Sequence, residues 1–211
     1  LRIDPTLAAI DLNAIRAWLM ADSKARLRQQ LLAERQALHD HQRARLDRKI
    51  CAYLLRFLDD IDAIRLGAFF PFRGEPNLIP AMEVLHQAAR RIHLPVIRGE
   101  ALDFKRWRPD VALRANRFGI PEPAGGDACE PGDLDVVFMP LVAFSHSGER
   151  LGMGGGFYDR ALAPFIEHPG TGPQRVGVAY DFQQIDSLPV DAWDVPLDAV
   201  ITDQGSREFT R

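Results

Sequence analysis

Cysteine is scarce. Cys51 and Cys129 are the two in a chain of 211 residues, too few for a disulfide framework and without the spacing of a metal site, so they read as free thiols of a reducing compartment. Long apolar runs are missing as well. The longest, Val136 to Phe144, falls far short of the roughly 18 residues of a membrane span and suits a buried strand. Neither sign of charge is in excess: 26 Lys and Arg against 29 Asp and Glu give a formal net charge of -3. That excludes a global basic field for nucleic acid, though a local patch can still bind a small polyanion. No repeat or low-complexity tract is visible. Asp4 and Asp11 interrupt the apolar stretch of the N-terminal segment, which argues against a signal peptide and for a cytoplasmic protein. The chain opens on Leu1 rather than Met, as a fragment would.

What is present suffices for one well-filled core, since 46% of the residues are hydrophobic, and the length favours a single domain. Leu7 to Met20 reads as a short helix, and a second starts near Asp22 or Ser23, either of which can cap it, and runs to about Leu38. Residues 1–22 are thus expected to be a helical extension and 23–211 the α/β domain. A third helix, Arg43 to Leu58, places Leu46, Ile50, Leu54 and Phe57 at helical spacing. Strand candidates are Ile64 to Phe70, Arg91 to Val96, Asp135 to Pro140, Val176 to Tyr180 and Ala199 to Thr202. Helices are expected over Leu78 to Arg90 and Gly156 to Ile166. This alternation predicts a three-layer α/β domain with a mostly parallel sheet flanked by helices.

The most informative stretch is Gly148 to Arg160, which follows a buried strand and leads into a helix. Glycines at 152, 154, 155 and 156 permit φ > 0 and close approach of a ligand to the backbone. Consecutive N–H groups can then form a nest for phosphate oxygens, with the helix N-terminus adding positive potential. Arg150 offers a cationic fork and Asp159 a carboxylate for a metal. A glycine-rich turn can also serve packing alone. The loop lacks the Gly-Lys-[Ser/Thr] ending of a Walker sequence, and it lies too late in the chain for a dinucleotide fingerprint.

Pro140-Leu141-Val142-Ala143-Phe144, Gly148 and the run Arg150-Leu151-Gly152-Met153-Gly154-Gly155-Gly156-Phe157-Tyr158-Asp159-Arg160 together resemble the signature of the 5-formyltetrahydrofolate cyclo-ligases. Other marks fall in the family's order: Lys24 and Arg28 on a helix, Phe69-Phe70-Pro71 to Glu75, Asn116 to Pro123, and Asp194 to Asp198 leading into Ile201-Thr202. Ser145 stands where aspartate or threonine is frequent, and Trp193 where histidine is. The loop positions of Met153 and Gly155 lack the lysine or arginine of some members, which leaves Arg150, Lys24 and Arg28 as the main cations for phosphate.

The resemblance implies an enzyme of one-carbon metabolism that closes 5-formyltetrahydrofolate to 5,10-methenyltetrahydrofolate with ATP and Mg²⁺, releasing ADP and phosphate. It implies ATP contacts at Lys24, Arg28 and the span Arg150, Leu151, Gly152, Met153, Gly154, Gly155, Gly156, Phe157 and Tyr158. Folate contacts fall at Phe70, Glu75 and Met153 to Phe157, and magnesium at Asp159 and Asp194. No general base is identified. Taken alone, several of these positions have plainer readings. Lys24 and Arg28, one turn apart, fit a solvated face with both side chains outward. Phe70 fits the core, Glu75 a turn, and Asp194 an Asx turn. A non-catalytic folate- or nucleotide-binding relative is the alternative. The partner is a small molecule, with no nucleic acid or membrane, and a monomer is expected.

Overall fold

The computed structural model describes residues 12–166, 168 and 170–210, with side chains from Ser23 onward. Two helices, α1 (Leu12–Gln36) and α2 (Asp40–Asp59), precede β1 (Arg65–Gly67), α3 (Ile79–Gln87), β2 (Arg91–Arg98) and β3 (Ala101–Arg106). Then come β4 (Leu113–Ala115), β5 (Pro121–Pro123), β6 (Ala128–Cys129), β7 (Val136–Pro140), β8 (Ala143–Ser145) and β9 (Arg150–Leu151). The chain continues through α4 (Phe157–Leu162), β10 (Gln174–Val178), β11 (Gln184–Ile185), β12 (Ala199–Thr202) and β13 (Gly205–Glu208).

Eight strands form the main sheet in the order β13-β12-β10-β7-β1-β2-β3-β6. The five from β12 to β2 are parallel, and β13, β3 and β6 run antiparallel at the edges. Side chains alternate across a strand, and β7 shows the two faces. Val136 and Phe138 join Ile50, Leu54 and Leu58 of α2 and Met82 and Leu85 of α3 in one core. Val137 and Met139 point the other way, to Leu162 of α4, Val195 and Leu197. The expected three-layer α/β architecture is therefore present. A smaller sheet, β11-β8-β9, is covered by α1, where Leu31 packs with Val142, Ala143, Leu151 and Leu188.

Local chemistry explains several boundaries. Asn77 Oδ1 accepts the Ile79 N–H at 3.1 Å and Pro80 occupies the first turn of α3, where its missing donor costs nothing. The helix expected to reach Ile166 ends at Leu162 and gives way to a 3-10 turn, Ala163–Phe165, because Pro164 cannot donate to Arg160. One expectation is corrected. The two N-terminal helices are a single α1, since nothing between Met20 and Lys24 is a glycine or proline that would break the ladder. The expected boundary at residues 22–23 falls within it, and the part of the predicted first helix before Leu12 lies outside the described residues. No described helix is long and apolar enough to cross a membrane.

Candidate active site

Strand order locates the site. From β1 the chain proceeds to β2 on one side, whereas β7 pairs on the other and leads on to β10 and β12. Loops leaving adjacent parallel strands at such a reversal part from each other and open a crevice at their carboxyl ends. Here those loops are the segment after β1 that carries Glu75 and the segment after β7 that leads into the glycine run.

The first loop turns sharply. Arg73 (φ 48) and Gly74 (φ 79) are both left-handed, and the Glu75 N–H closes the turn on the Phe72 carbonyl at 3.1 Å. Two arginines hold it in place. Arg35 donates to the carbonyls of Arg73 (3.1 Å) and Leu141 (2.9 Å), and Arg43 donates to that of Gly74 at 2.7 Å. Arg35 thereby ties the β1 loop to the β7 loop. The turn buries Glu75, whose Oε2 accepts the Phe72 N–H at 3.0 Å. Burial raises its carboxyl to about 7, with Arg35 and the Phe72 bond pulling the other way. Arg35 Nη2 forms an ion pair with Glu75 Oε1 at 3.8 Å, beyond hydrogen-bond range, and has no hydrogen-bond partner among the described residues.

On the other side is the glycine run. Gly154 (φ 94) and Gly156 (φ 64) adopt the left-handed conformation that favours glycine. The N–H groups of residues 153–155 have no acceptor among the described residues. Arg28 Nε donates to the Gly152 carbonyl at 2.8 Å, and a Cβ on Gly154 would lie 3.6 Å from its guanidinium. Lys24, one turn earlier on α1, does not face outward as expected. It is buried, with Nζ 2.7 Å from Asp191 and 2.6 Å from Asp194. Burial alone would lower its pKa, but the hydrogen bonds and charges of the two aspartates leave it raised. Arg150 pairs with Asp159, whose Oδ1 also accepts the Val195 N–H at 3.1 Å. Lys24, Arg28, Arg150, Asp159 and Asp194 thus sit in one connected network with the loop.

Phe157 and Tyr158 open α4. The Tyr158 hydroxyl and Arg150 Nε are both buried without a hydrogen-bond partner among the described residues. Burial raises the Tyr158 phenol, and the charge of Glu75 adds to the effect while Arg150 opposes it. Tyr158 thus senses both loops. Phe70 packs in the core against Trp107 at 6.5 Å between ring centroids. Asp159 and Asp194 are carboxylates of the kind magnesium takes, but each is held by a cation, and no cluster of three or more metal-ligating side chains occurs among the described residues.

Arg35, Arg43 and Asp191 were not singled out in the sequence. The spacing Asp191-x-x-Asp194 was the one available signal, with the Asp191 N–H donating to Asp194 Oδ2 at 2.9 Å; nothing marks Arg35 among the arginines of α1 and α2. A separate cavity of about 610 Å³, bordered by Glu100, Asp103, Glu130, Asp133, Arg160 and Phe165 among others, does not include the glycine run.

The family model of the 5-formyltetrahydrofolate cyclo-ligases matches residues 20–203. The cyclo-ligase of Escherichia coli K12 is 38% identical over 174 residues, covering 80% of this chain and 93% of that protein. That of Haemophilus influenzae is 36% identical over 166 residues, 76% of this chain and 86% of that one. Among solved structures, Aquifex aeolicus 5,10-methenyltetrahydrofolate synthetase superposes with a TM-score of 0.76 at 32% identity, covering 89% of this chain and 93% of that one. The synthetase of Mycoplasma pneumoniae gives 0.69 at 30%, with 85% and 98% covered. With a matching family model, close relatives and a shared fold, the chain belongs to the 5-formyltetrahydrofolate cyclo-ligase family.

Proposed function

We propose that the chain catalyses the ATP- and Mg²⁺-dependent closure of 5-formyltetrahydrofolate to 5,10-methenyltetrahydrofolate, releasing ADP and phosphate. The observation that carries this reading is the glycine run with its free N–H groups, held by Arg28 and preceded by Arg150, across the crevice from buried Glu75. The residues fit a triphosphate. Left-handed glycines expose successive donors, the φ of 94° at Gly154 disfavours any residue with a Cβ, and Arg150 keeps a buried donor unpaired. The contact assignments from Arg150 to Tyr158, with Lys24 and Arg28, belong to this proposal, as do folate contacts at Phe70, Glu75 and Met153 to Phe157.

The formyl oxygen is a poor nucleophile and hydroxide a poor leaving group, so the chemistry needs phosphate on that oxygen. It attacks the γ-phosphorus as the bond to ADP breaks. N10 then attacks the activated carbon and gives up its proton to the phosphate, which leaves with the oxygen as the carbon–oxygen bond breaks. The protein's part is positioning and charge. Holding N10 against the formyl carbon is worth roughly 7–11 kcal/mol in effective molarity. Lys24 and Arg28 set the loop, Arg150 supplies a donor, and Glu75 holds the folate by accepting hydrogen bonds. Asp159 and Asp194 would hold magnesium, which supplies neutralisation of phosphate charge when bound. With magnesium bound there, Arg150 and Lys24, which pair with these aspartates, would add their charge beside it. The proposal extends to a monomeric cytoplasmic protein.

Absorbance of the methenyl product, followed with ATP, Mg²⁺ and 5-formyltetrahydrofolate each omitted in turn, tests this reading. Formation only when all three are present is expected. Tight binding of folate without turnover would instead mark a non-catalytic relative.

A further inference from the structure

Arg35 is buried completely, at 0% exposure, and the reaction above gives it no part. Its Nε donates to the Arg73 carbonyl and its Nη1 to that of Leu141, which fastens the loops after β1 and β7. Fastening of this kind needs no charge. Gln183, equally buried, donates its neutral amide to the carbonyls of Leu141 (3.2 Å) and Val142 (2.9 Å). A full charge withdrawn from water is costly where a neutral donor would serve. What Arg35 adds is a cation beside Glu75, with Nη2 3.8 Å from Oε1. Both facing atoms have capacity to spare. Among the described residues Nη2 has no hydrogen-bond partner and Oε1 accepts no hydrogen bond, whereas Oε2 takes the Phe72 N–H.

Arg35 faces Glu75 from α1 and Tyr158 faces it from α4. Arg43 of α2 directs its donors to the carbonyls of Gly74, Arg35 and Leu38. Burial raises the Tyr158 phenol, so that group is neutral and adds no charge. Burial also pushes the Glu75 carboxyl up to about 7, and Arg35 is the charge that opposes it. The burial of Arg35 works against its own charge, with Glu75 and Tyr180 opposing and Arg43 adding to the effect, yet arginine stays protonated in proteins. We propose that Arg35 is a positioning residue for the folate, its guanidinium keeping Glu75 an anion with Oε1 open to the folate's donors. This rests on the function proposed above, in which Glu75 accepts hydrogen bonds from the folate.

Calorimetric affinity for 5-formyltetrahydrofolate, followed from pH 6 to pH 9, decides it. In Arg35→Gln the rise of affinity with pH should move upward by about one unit, the least that loss of an adjacent opposite charge produces. At pH 7 that variant binds about fivefold more weakly than the wild type, and by pH 9 it regains most of the loss. Arg35→Lys, which keeps a charge but lacks the fork that reaches both carbonyls, should retain the wild-type pH profile. In a Glu75→Gln background, Arg35→Gln should change folate affinity by less than about twofold, because the group it acts through is gone. A clamp without an electrostatic role predicts the same loss at every pH, lysine no better than glutamine, and an undiminished loss in the Glu75→Gln background. Any of those three results would overturn the assignment. Should Arg35→Gln fail to fold, lysine decides: the wild-type profile upholds the role, and a loss at every pH overturns it. A wild-type protein that does not bind the folate would overturn the proposed function itself, which is seen before any variant.

Discussion

Glu75 illustrates how one residue is set by two loops. A carboxyl raised to about 7 is roughly half ionised at neutral pH. If the ionised form accepts the folate's donors, the folate KM of the wild type should fall as pH rises from 6 to 8. Glu75→Gln should show a high folate KM with that slope gone and an unchanged KM for ATP. An ATP effect instead would mean that the two halves of the crevice have been exchanged. Lys24 and Arg28 were legible as a pair of cations one turn apart, but not in their orientation. The partners that turn Lys24 inward, Asp191 and Asp194, lie far along the chain, beyond the reach of any local pattern. Lys24→Ala should therefore lower both stability and ATP affinity, the former by roughly 1–3 kcal/mol as two carboxylates lose their partner. Arg28→Ala, which gives up one bond to a carbonyl, should raise the KM for ATP with a smaller change in melting temperature. Unchanged ATP kinetics in both variants would reduce the helix to a structural role.

At the scale of elements, the glycine run offers an internal control. Gly154, Gly156, Gly170 and Gly205 all have φ between 64° and 146°, so alanine strains the backbone at each by an amount on the order of 1–2 kcal/mol. Their surroundings differ. A Cβ on Gly154 meets Arg28 and one on Gly156 meets Arg160, whereas nothing lies within 4 Å at Gly170 or Gly205. Thermal melting should fall comparably across the four alanine variants, and ATP affinity should collapse only for the first two. Parallel losses of affinity at all four sites would leave the loop a packing feature. The long, periodic elements, α2 and α3, and the buried strands β7 and β12 were readable from apolar spacing alone. The six-residue β3 was not, and neither were β4 to β6, β8, β9, β11 and β13, which span two to four residues, a length over which too little pattern accumulates. The division of the N-terminal helix failed for the opposite reason. Asp22 and Ser23 can cap a helix, but capping types in mid-helix do not end one while the backbone ladder continues.

Over the whole molecule, the crevice comes from a property that no segment contains, the reversal of strand order between β1 and β7. The sequence supplied both loops and left their meeting unseen, and Arg35, which joins them, carries no local mark. Glu75 also couples this site to folding. An acid whose folded pKa is raised binds more protons folded than unfolded between about 4.3 and about 7. Its contribution is full below the lower value and is lost as pH rises through the upper one. Wild-type stability should therefore decline relative to Glu75→Gln as pH climbs through that window, measured by denaturant unfolding. A difference that stays constant would place the titration elsewhere.

The central claim is that this crevice couples ATP to ring closure. Its most direct test is a product balance on the wild-type protein with 5-formyltetrahydrofolate, ATP and Mg²⁺, reading methenyl absorbance alongside ADP and phosphate. One ADP and one phosphate per methenyl formed, with no product when ATP is withheld, is the predicted result. Methenyl accumulating equally well without ATP, or ATP hydrolysed at the same rate without folate, would contradict it.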